Sequence, residues 1–441
     1  MFRFDITAKI KGKRGRAGVI HTAHGDIATP AFIPVGTKAT VKALSPEQVR
    51  DDVKADAVLA NTYHLYLQPG TEILEKAGGL HKFMNWSGPT FTDSGGFQAF
   101  SLGAAFNGKG SKINKRGGEL QGEGRTKNEE RKMQDVDDQT RSSFFFLPSS
   151  VDSKMAKVTE DGVEFKSIID GSTHFFTPER SMEIQKSIGA DIIFAFDECT
   201  SSLASEAYQK EAMDRTHRWA VRSLIRHKEL ETQKKNEELS MKYEASEKNS
   251  SFFIPHSQSL FGIVQGGRYE HLRKESAKII GSMDFDGFGI GGSFDKEDIS
   301  TAVGWVVDEL PEGKPRHLLG IGEPEDLILG IENGIDTFDC VSPTRMARNG
   351  AAYSSEGRIN ILNARFGTDM GKLDPVCECY TCTNYSRAYI SHLFRAKEMF
   401  AATLMSIHNL YFLVDLAKRA RQAIVEGRWE EFKESTYKSS Y

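Results

Sequence analysis

The chain has 441 residues, of which 27% are charged and 39% are hydrophobic, and its formal net charge is −4. This balance is typical of globular proteins and excludes a collagenous or wholly disordered chain, and the near-neutral charge excludes a protein held on nucleic acid by its overall charge alone. No stretch reaches the roughly 18 apolar residues of a membrane helix, and the N-terminal residues lack a secretory signal, so we expect no membrane partner and a cytoplasmic location.

Eight short apolar segments recur along the chain, and six of them close on Gly or Asp. They are residues 31–36, 57–63, 89–95, 191–197, 260–266, 287–292, 317–322 and 337–341. Polar and apolar residues do not alternate within them, which indicates strands buried on both faces and therefore a parallel sheet covered by helices.

Helix start signals lie between the predicted strands. Ser45-Pro46, Thr177-Pro178 and Glu323-Pro324 each place a capping residue before a proline at the first helical position, and Gly189 and Gly334 are suited to end the second and third of these helices. Eight strands alternating with helices predict an α/β fold, a closed (β/α)₈ TIM barrel. An open doubly wound sheet is less favoured, because no strand is followed by a Gly-x-Gly-x-x-Gly turn.

Two polar segments interrupt this alternation. Residues 107–142 contain only four aliphatic residues, so we predict a mobile insertion at about 104–155. We hypothesise that it lies near the rim of the active site, because it follows the Asp93 loop directly. A second insertion, at about 229–258, is rich in Glu, Lys, Asn and Ser, and its first half could extend a helix.

Three of the five cysteines lie close together, at Cys377, Cys379 and Cys382. Thiolates bind Zn²⁺ well, and three of them on one tight turn can fill three corners of a tetrahedron. The fourth ligand would be a downstream histidine, either His392 or His408. The spacing predicts a closed structural zinc site; the alternative is three reduced thiols in a loop. We therefore divide the chain into a catalytic barrel over 1–366 and a zinc-binding subdomain with C-terminal helices over 367–441.

Four polar side chains end predicted strands: Asp93, Asp197, Gln265 and Asp339. In a (β/α)₈ barrel the C-terminal strand ends face the active site. Any one of these residues alone is more simply a cap or an ion-pair partner. Together, three carboxylates can divide into a nucleophile and a general acid/base where their surroundings differ. The glycines beside them would let a flat ligand approach the backbone.

Two apolar side chains near these strand ends, Phe97 and Leu319, could enclose a flat ligand between them. Metal-dependent chemistry in the barrel is less favoured, because His64 and His317 are the main strand-end histidines and such groups are more often structural than ligating.

These motifs together resemble the queuine tRNA-ribosyltransferase family, the tRNA-guanine transglycosylases of bacterial type, over nearly the whole chain. The stretches that carry the resemblance are FIPVGT at 32–37, NTYHL at 61–65, TDSGGFQ at 92–98, FDEC at 196–199, GIGG at 289–292, FDCV at 338–341, RNG at 348–350, NILNARF at 360–366 and the cysteine cluster. The resemblance implies a (β/α)₈ barrel with a zinc-bearing subdomain. It also implies exchange of guanine 34 in GUN-anticodon tRNAs for a 7-deazaguanine base, in queuosine biosynthesis.

The resemblance implies roles for individual positions. Asp339 would be the nucleophile that forms a covalent ribosyl intermediate, and Asp93 the general acid/base. The residues expected to hold the base are Ser94, Phe97, Asp197, Gln265, Gly292 and Leu319. Arg345 and Arg348 would meet the tRNA anticodon loop. The resemblance selects His408 over His392 as the fourth ligand of one structural Zn²⁺.

The resemblance also implies a homodimer. The alternatives are a non-catalytic tRNA-binding subunit of the same family and an unrelated barrel hydrolase, and the latter leaves the cysteine cluster and both arginines unexplained. The chain departs from many bacterial members in two places. Phe97 stands where they have Tyr, and Ser293-Phe294-Asp295 where they have Leu-Ala-Val. The incoming base is therefore left open between 7-aminomethyl-7-deazaguanine and queuine.

Overall fold

Eight short parallel strands form the central sheet of the protein. The computed structural model describes residues 2–105, 156–201, 203–244, 257–292 and 299–438. The strands are β1 (Ala31–Pro34), β2 (Val58–Ala60), β3 (Thr90–Thr92), β4 (Ile192–Phe194), β5 (Ser259–Val264), β6 (Gly287–Ile290), β7 (Arg316–Leu318) and β8 (Thr337–Cys340). Each pairs with its neighbours in sequence, β8 pairs with β1, and a parallel bridge between Val35 and Leu59 joins β1 to β2. The predicted (β/α)₈ barrel is confirmed.

Helices follow the strands and cover the outside of the sheet. They are Pro46–Asp51, Thr62–Leu67, Thr71–Ala77, Leu80–Met84, Gly96–Ala105, Pro178–Ile188, Glu206–Glu244, Glu270–Gly281, Ile299–Val307, Pro324–Glu332 and Ser342–Arg348. The predicted start at Ser45 is a full capping box, because the Ser45 hydroxyl accepts the Gln48 N–H and the Gln48 side chain accepts the Ser45 N–H. Gly189 ends the helix Pro178–Ile188 in the left-handed conformation, and Gly334, with φ +91°, follows the helix Pro324–Glu332.

Each strand is shorter than the apolar segment that predicts it, because the last residues of the segment leave the sheet. In segment 57–63, β2 ends at Ala60, and the Asn61 side chain caps the next helix by accepting the His64 N–H. Asp93, Asp197 and Gln265 likewise lie beyond the ends of β3, β4 and β5. These three polar side chains therefore sit in loops at the C-terminal end of the barrel, whereas Asp339 lies within β8.

Two antiparallel sheets were not predicted from the sequence. The first comprises Arg3–Lys9, Arg16–Thr22 and Gly25–Thr29, and the second Ala156–Val158, Val163–Lys166 and Thr173–Phe176. Ile20 and Ile27 of the first sheet are fully buried in one cluster with the barrel-interior residues Phe194 and Phe261. This sheet therefore extends the barrel core and packs against the N-terminal strand ends.

The C-terminal region forms a helical layer with a small core of its own. It contains the strands Ala351–Ala352 and Ile359–Asn360, the 3₁₀ helix Ala364–Thr368, and the helices Tyr380–Asn384, Arg387–Arg395, Met399–Val425 and Trp429–Lys438. The three clustered cysteines pack in this core with Leu404 and Met405. The helix Met399–Val425 is long and apolar enough to cross a membrane, but 61% of its most apolar window is buried in the protein, as in the core helix of a globular protein.

The two predicted insertions lie partly outside the described residues. Of segment 104–155, only residues 104 and 105 are described, at the end of the helix Gly96–Ala105. In segment 229–258, the helix Glu206–Glu244 covers the first half, as predicted, and residues 245–256 lie outside the described part of the chain.

Candidate active site

A cavity of about 130 Å³ opens at the C-terminal ends of the barrel strands. Eight of the residues singled out in the sequence line it together: Asp93, Ser94, Phe97, Asp197, Gln265, Gly292, Leu319 and Asp339. They come from six different strands or the loops that follow them, so they are distant in sequence and close only in the barrel. This is the position in which (β/α)₈ enzymes carry their catalytic groups.

Asp93 is held by the loop that follows β2. The Thr62 N–H donates to its Oδ1 at 2.8 Å, and the Asn61 side-chain amide donates to its Oδ2. Burial raises the pKa of Asp93 to about 7, and the negative charge of Asp339 acts in the same direction. A carboxyl group that titrates near neutrality can both give and accept a proton at physiological pH.

Asp197 forms a hydrogen-bonded group with two neighbours on the cavity wall. The Ser94 hydroxyl donates to its Oδ1 at 2.8 Å, and the Gln265 amide donates to its Oδ2 at 2.7 Å. Burial raises the pKa of Asp197 to about 6, with the charge of Glu198 adding to the effect. The other amide atom of Gln265, Oε1, is buried without a hydrogen-bond donor in the described part of the chain. A ligand that brings N–H groups into the cavity would satisfy this acceptor.

Asp339 projects from β8 and is almost fully buried. Its Oδ1 accepts two hydrogen bonds, from the His317 Nε2 at 3.0 Å and from the Gly320 N–H at 2.9 Å. Its Oδ2 has no hydrogen-bond partner among the described residues. One oxygen of this carboxylate is therefore held by donors, while the other is available to a ligand.

At Gly292 the backbone itself forms part of the cavity wall, and this depends on the residue being glycine. Gly292 has φ +106°, and a Cβ there would lie 2.4 Å from the Arg273 guanidinium. Any other residue would be strained in that conformation and would push against the buried Arg273 side chain, and with glycine the cavity wall at this position is bare backbone. The departure Ser293-Phe294-Asp295 that follows it lies outside the described residues.

Several donors to Asp93 and Asp339 were not given a site role from the sequence, among them Asn61, Thr62, His317 and Gly320. Asn61 and Thr62 were overlooked because the whole segment 57–63 was interpreted as a strand. The strand ends at Ala60, and polar residues directly after it are the signal that could have identified them. His317 was interpreted as a structural group. It is fully buried and hydrogen-bonded, but its partner is Asp339, which only the pairing of β7 with β8 could reveal.

Cationic side chains stand at the same end of the barrel. Burial lowers the pKa of His64 to about 4, with the charges of Lys38 and Lys42 adding to the effect, so this imidazole is uncharged at neutral pH. Arg345 and Arg348 lie on the helix Ser342–Arg348, directly after Asp339, and neither lines the cavity itself. Both are half-buried at this end of the barrel.

The two remaining cysteines differ in their surroundings. Cys199 lines the cavity and is half-buried, whereas Cys340 is buried and does not line it. Burial raises the pKa of Cys340 to about 12, so this thiol is not a thiolate at neutral pH.

The cysteine cluster and His408 form a separate group that could hold a metal ion. The Nδ1 of His408 lies 3.7, 3.5 and 3.3 Å from the sulfurs of Cys377, Cys379 and Cys382. Tetrahedral zinc with ordinary bond lengths separates a sulfur and a nitrogen ligand by about 3.6 Å. The other ring nitrogen of His408 bonds the Tyr353 carbonyl at 2.8 Å, which orients Nδ1 toward the sulfurs. The donor set and its geometry fit zinc.

A second group of ligand-type side chains lies at the opposite end of the barrel. Asp191 bonds His24 Nδ1 at 2.7 Å and His81 Nε2 at 3.0 Å, and it accepts the Thr90 N–H at 2.8 Å. The two imidazole rings stack 3.5 Å apart at an angle of 20°. Nearly parallel rings do not direct their nitrogens to one common point, so this arrangement matches a hydrogen-bonded cluster better than a metal centre.

Comparison with known proteins gives one consistent family. A profile described as Queuine tRNA-ribosyltransferase matches residues 11–134 and 137–441. A protein of that name from Caldanaerobacter subterraneus subsp. tengcongensis is 43% identical over 442 residues, covering 100% of this chain and 98% of the relative. Proteins of the same name from Thermoanaerobacter pseudethanolicus and Staphylococcus aureus are also 43% identical, covering 99% and 97% of this chain and 97% and 93% of the relatives.

Proposed function

The chain belongs to the queuine tRNA-ribosyltransferase family, and from this premise we propose which base it exchanges, in which tRNAs and by which residues. As a tRNA-guanine transglycosylase it is a pentosyltransferase. The proposed reaction replaces guanine 34 in GUN-anticodon tRNAs, those for Asp, Asn, His and Tyr, by a 7-deazaguanine base. The observation that carries the proposal is that Asp93, Asp197 and Asp339 line one cavity in three different hydrogen-bonding environments.

The first step is an attack by Asp339 on C1′ of the target ribose. The Oδ2–C1′ bond forms while the C1′–N9 bond breaks, and the electron pair of that bond goes to guanine. Asp93 gives guanine the proton it needs to leave. Its pKa of about 7 supports this role, because a substantial fraction of the group is protonated at neutral pH.

The second step reverses the roles. Guanine diffuses away, Asp93 accepts a proton from the incoming base, and the nitrogen of that base attacks C1′ as the ester bond to Asp339 breaks. Two displacements at C1′ give net retention of configuration, as in retaining glycosidases. One purine-like base replaces another, so the exchange needs no external energy source.

Recognition of the base is assigned to the opposite wall of the cavity. Ionised Asp197 accepts hydrogen bonds from the Watson–Crick edge of guanine, with Ser94 and Gln265 holding the carboxylate in place. Phe97 and Leu319 would cover the two faces of the ring. The buried Gln265 Oε1, which lacks a donor among the described residues, supports a ligand rich in N–H groups. A nucleotide in an anticodon loop can leave its stack at low cost to enter such a cavity.

The anticodon loop is the proposed partner of the basic residues beside the cavity. Arg345 and Arg348 follow Asp339 on one short helix, and Lys38 and Lys42 follow β1 at the same end of the barrel. This local positive charge is compatible with the overall charge of −4, because phosphate contacts need only a local basic surface. Tighter tRNA binding at low salt is the expected signature.

The Cys₃His cluster is the proposed site of one structural Zn²⁺. Four protein ligands fill a tetrahedral site completely, so the metal would tie the cysteine loop to the helix Met399–Val425 rather than take part in exchange. Cys382→Ala should lower the thermal midpoint and the zinc content measured by atomic emission together. A zinc content that stays at one per chain in this variant would contradict the assignment.

A homodimer is proposed from an exposed aromatic patch on the C-terminal layer. The ring of Tyr385 contacts those of Tyr389 and Phe400, and Met399, the neighbour of Phe400 in the sequence, is 87% exposed. Contiguous exposed apolar surface of this kind is typical of protein interfaces. Light scattering should give the mass of two chains for the wild type and of one chain for Tyr389→Ala. A single-chain mass for the wild type would contradict the dimer.

The test of the function is exchange of labelled guanine into tRNA. The wild type should label a GUN-anticodon transcript, fail to label the same transcript with adenine at position 34, and lose the label when the preferred 7-deazaguanine base is added. Competition by 7-aminomethyl-7-deazaguanine and by queuine, measured separately, identifies that base. Asp284→Asn, at an exposed ion pair with Lys228, is the matched control and should exchange at the wild-type rate. Labelling that does not depend on guanine 34 would contradict the proposal.

A further inference from the structure

The environment of Asp339 distinguishes its two oxygens, and His317 is the side chain that does so. His317 lies on β7, fully buried inside the barrel. Its Nε2 lies 3.0 Å from Asp339 Oδ1, and its Nδ1 lies 2.9 Å from the Thr337 hydroxyl. Thr337 and Asp339 are two residues apart on β8, so their side chains share one face of that strand. One imidazole therefore bridges two side chains of the neighbouring strand.

The Asp339 carboxylate sets the tautomer of this ring, and the Thr337 hydroxyl complements it. An ionised carboxylate only accepts hydrogen bonds, so the bond to Asp339 requires a proton on Nε2 of His317. In the uncharged ring, Nδ1 is then an acceptor, and the Thr337 hydroxyl is the donor that it meets. The ring also stacks on Phe91, with centroids 5.6 Å apart, and lies 5.3 Å from Phe194. Hydrogen bonds and packing together fix its position.

We propose that His317 is a positioning residue for the nucleophile, which holds Asp339 Oδ1 and leaves Oδ2 as the attacking oxygen. This inference rests on the function proposed above. Oδ1 accepts from both His317 and the Gly320 N–H, whereas Oδ2 has no partner among the described residues and faces the cavity. Without the imidazole, the carboxylate could rotate about its Cβ–Cγ bond and present either oxygen in several orientations.

The same donors act on the covalent intermediate. When the Oδ2–C1′ bond has formed, Oδ1 is the carbonyl oxygen of the ester and still meets both N–H groups. When that bond breaks in the second step, its electron pair returns to Oδ2, and the negative charge spreads over both oxygens. Donors already aimed at Oδ1 stabilise the departing carboxylate without further reorganisation. His317 therefore serves both displacements and touches neither base.

Two replacements of His317 test the proposal. His317→Phe keeps a ring against Phe91 but removes the donor, and His317→Gln keeps an N–H at a similar distance from the backbone. Loss of one preorganised donor to a developing charge costs about 10²–10³-fold in rate. We expect His317→Phe to lower kcat by that factor while the KM for tRNA and the Kd for guanine change by less than about threefold. We expect His317→Gln to recover at least about tenfold of the loss.

A second pair of variants covers the case in which His317→Phe does not fold. Thr337→Val removes the hydroxyl that bonds Nδ1 of His317 and holds the ring in place, and Thr337→Ser keeps it. Thr337→Val should lower kcat about tenfold and Thr337→Ser should not. A kcat within about threefold of wild type for His317→Phe, or equal kcat values for Thr337→Val and Thr337→Ser, would overturn the inference. Absence of exchange by the wild type, or full activity of Asp339→Asn, would instead overturn the proposed function.

Discussion

Two strands of the barrel, β4 and β8, have a buried carboxylate at or near each end, and the surroundings of these carboxylates differ between the two ends of the barrel. Asp191 precedes β4 and Asp336 precedes β8, at the N-terminal end of the barrel. Asp336 receives both Nε and Nη2 of the buried Arg16, at 2.9 and 2.7 Å, and the Arg316 N–H at 2.7 Å. Asp191 is bonded by two imidazoles and a backbone amide. Both oxygens of Asp191 and both of Asp336 are therefore hydrogen-bonded within the protein.

At the C-terminal end, Asp197 follows β4 and Asp339 stands on β8, and both line the cavity. A hydroxyl and an amide hold Asp197, and an imidazole and a backbone N–H hold Asp339 on one side. Neither forms an ion pair with Arg or Lys in the described part of the chain. An Arg partner such as that of Asp336 fixes a carboxylate as part of the fold, whereas a carboxylate that lines a cavity without such a partner can bind and react with a ligand.

The largest effect is expected from the proposed nucleophile at the cavity end of β8. Asp339→Asn removes the attacking oxygen and should lower guanine exchange by at least about 10⁴-fold, because the covalent step has no other nucleophile. The thermal midpoint should change little, since the amide can still accept from Gly320. A stable adduct of enzyme and tRNA on a denaturing gel, seen with wild type and also with Asp339→Asn, would contradict the assignment.

The opposite result is expected at the other end of the same strand. Asp336→Asn leaves the guanidinium of Arg16 buried without its counter-charge and should lower the free energy of unfolding by about 3–5 kcal/mol in urea. The fraction that remains folded should exchange guanine at the wild-type rate per active site. Asp308→Asn, which breaks the exposed ion pair with Arg14, is the matched control and should cost less than about 1 kcal/mol. Equal effects of the two variants would remove the distinction between the barrel ends.

Asp93 should show its role in the pH dependence of exchange. The first step needs protonated Asp93 and the second needs ionised Asp93. With a pKa of about 7, both forms are present in comparable amounts at neutral pH. The rate should therefore pass through a maximum near pH 7, and Asp93→Asn should lower it by about 10²–10⁴-fold and remove that maximum. An unchanged pH profile in the variant would assign the titration to another group.

Asp197→Asn should change the free energy of unfolding least, and in the opposite direction to Asp336→Asn. Its pKa of about 6 in the folded protein lies above its ordinary 3.8, so the folded state holds a proton that the unfolded chain has lost. Stability therefore falls as pH rises from about 4 to about 6. Asp197→Asn should raise the free energy of unfolding by roughly 1–3 kcal/mol at pH 8 and leave it unchanged at pH 4. It should also weaken guanine binding. Destabilisation at pH 8 would contradict the prediction.

The sequence predicted most of the barrel and much of the cavity lining, for physical reasons that differ. Strands buried on both faces are continuous apolar runs, so all eight were visible locally. Where each run leaves the sheet was not visible, because Asn61 looks like the end of a strand and acts as a helix cap. The sheets Arg3–Lys9 to Gly25–Thr29 and Ala156–Val158 to Thr173–Phe176 were missed, since neither belongs to the βα alternation.

What the sequence by itself determined is the set of chemical groups: carboxylates after apolar runs, three thiols on one turn, and a family pattern that covers the chain. What only the tertiary structure decided is which groups meet. The pairing of β7 with β8 brings His317 to Asp339 and makes its two oxygens unequal. The packing of the N-terminal sheet brings Arg16 to Asp336 across more than three hundred residues. Every aspartate offers the same carboxyl group, but its partners decide whether it stabilises the fold or reacts, and partners are set by strand order and burial.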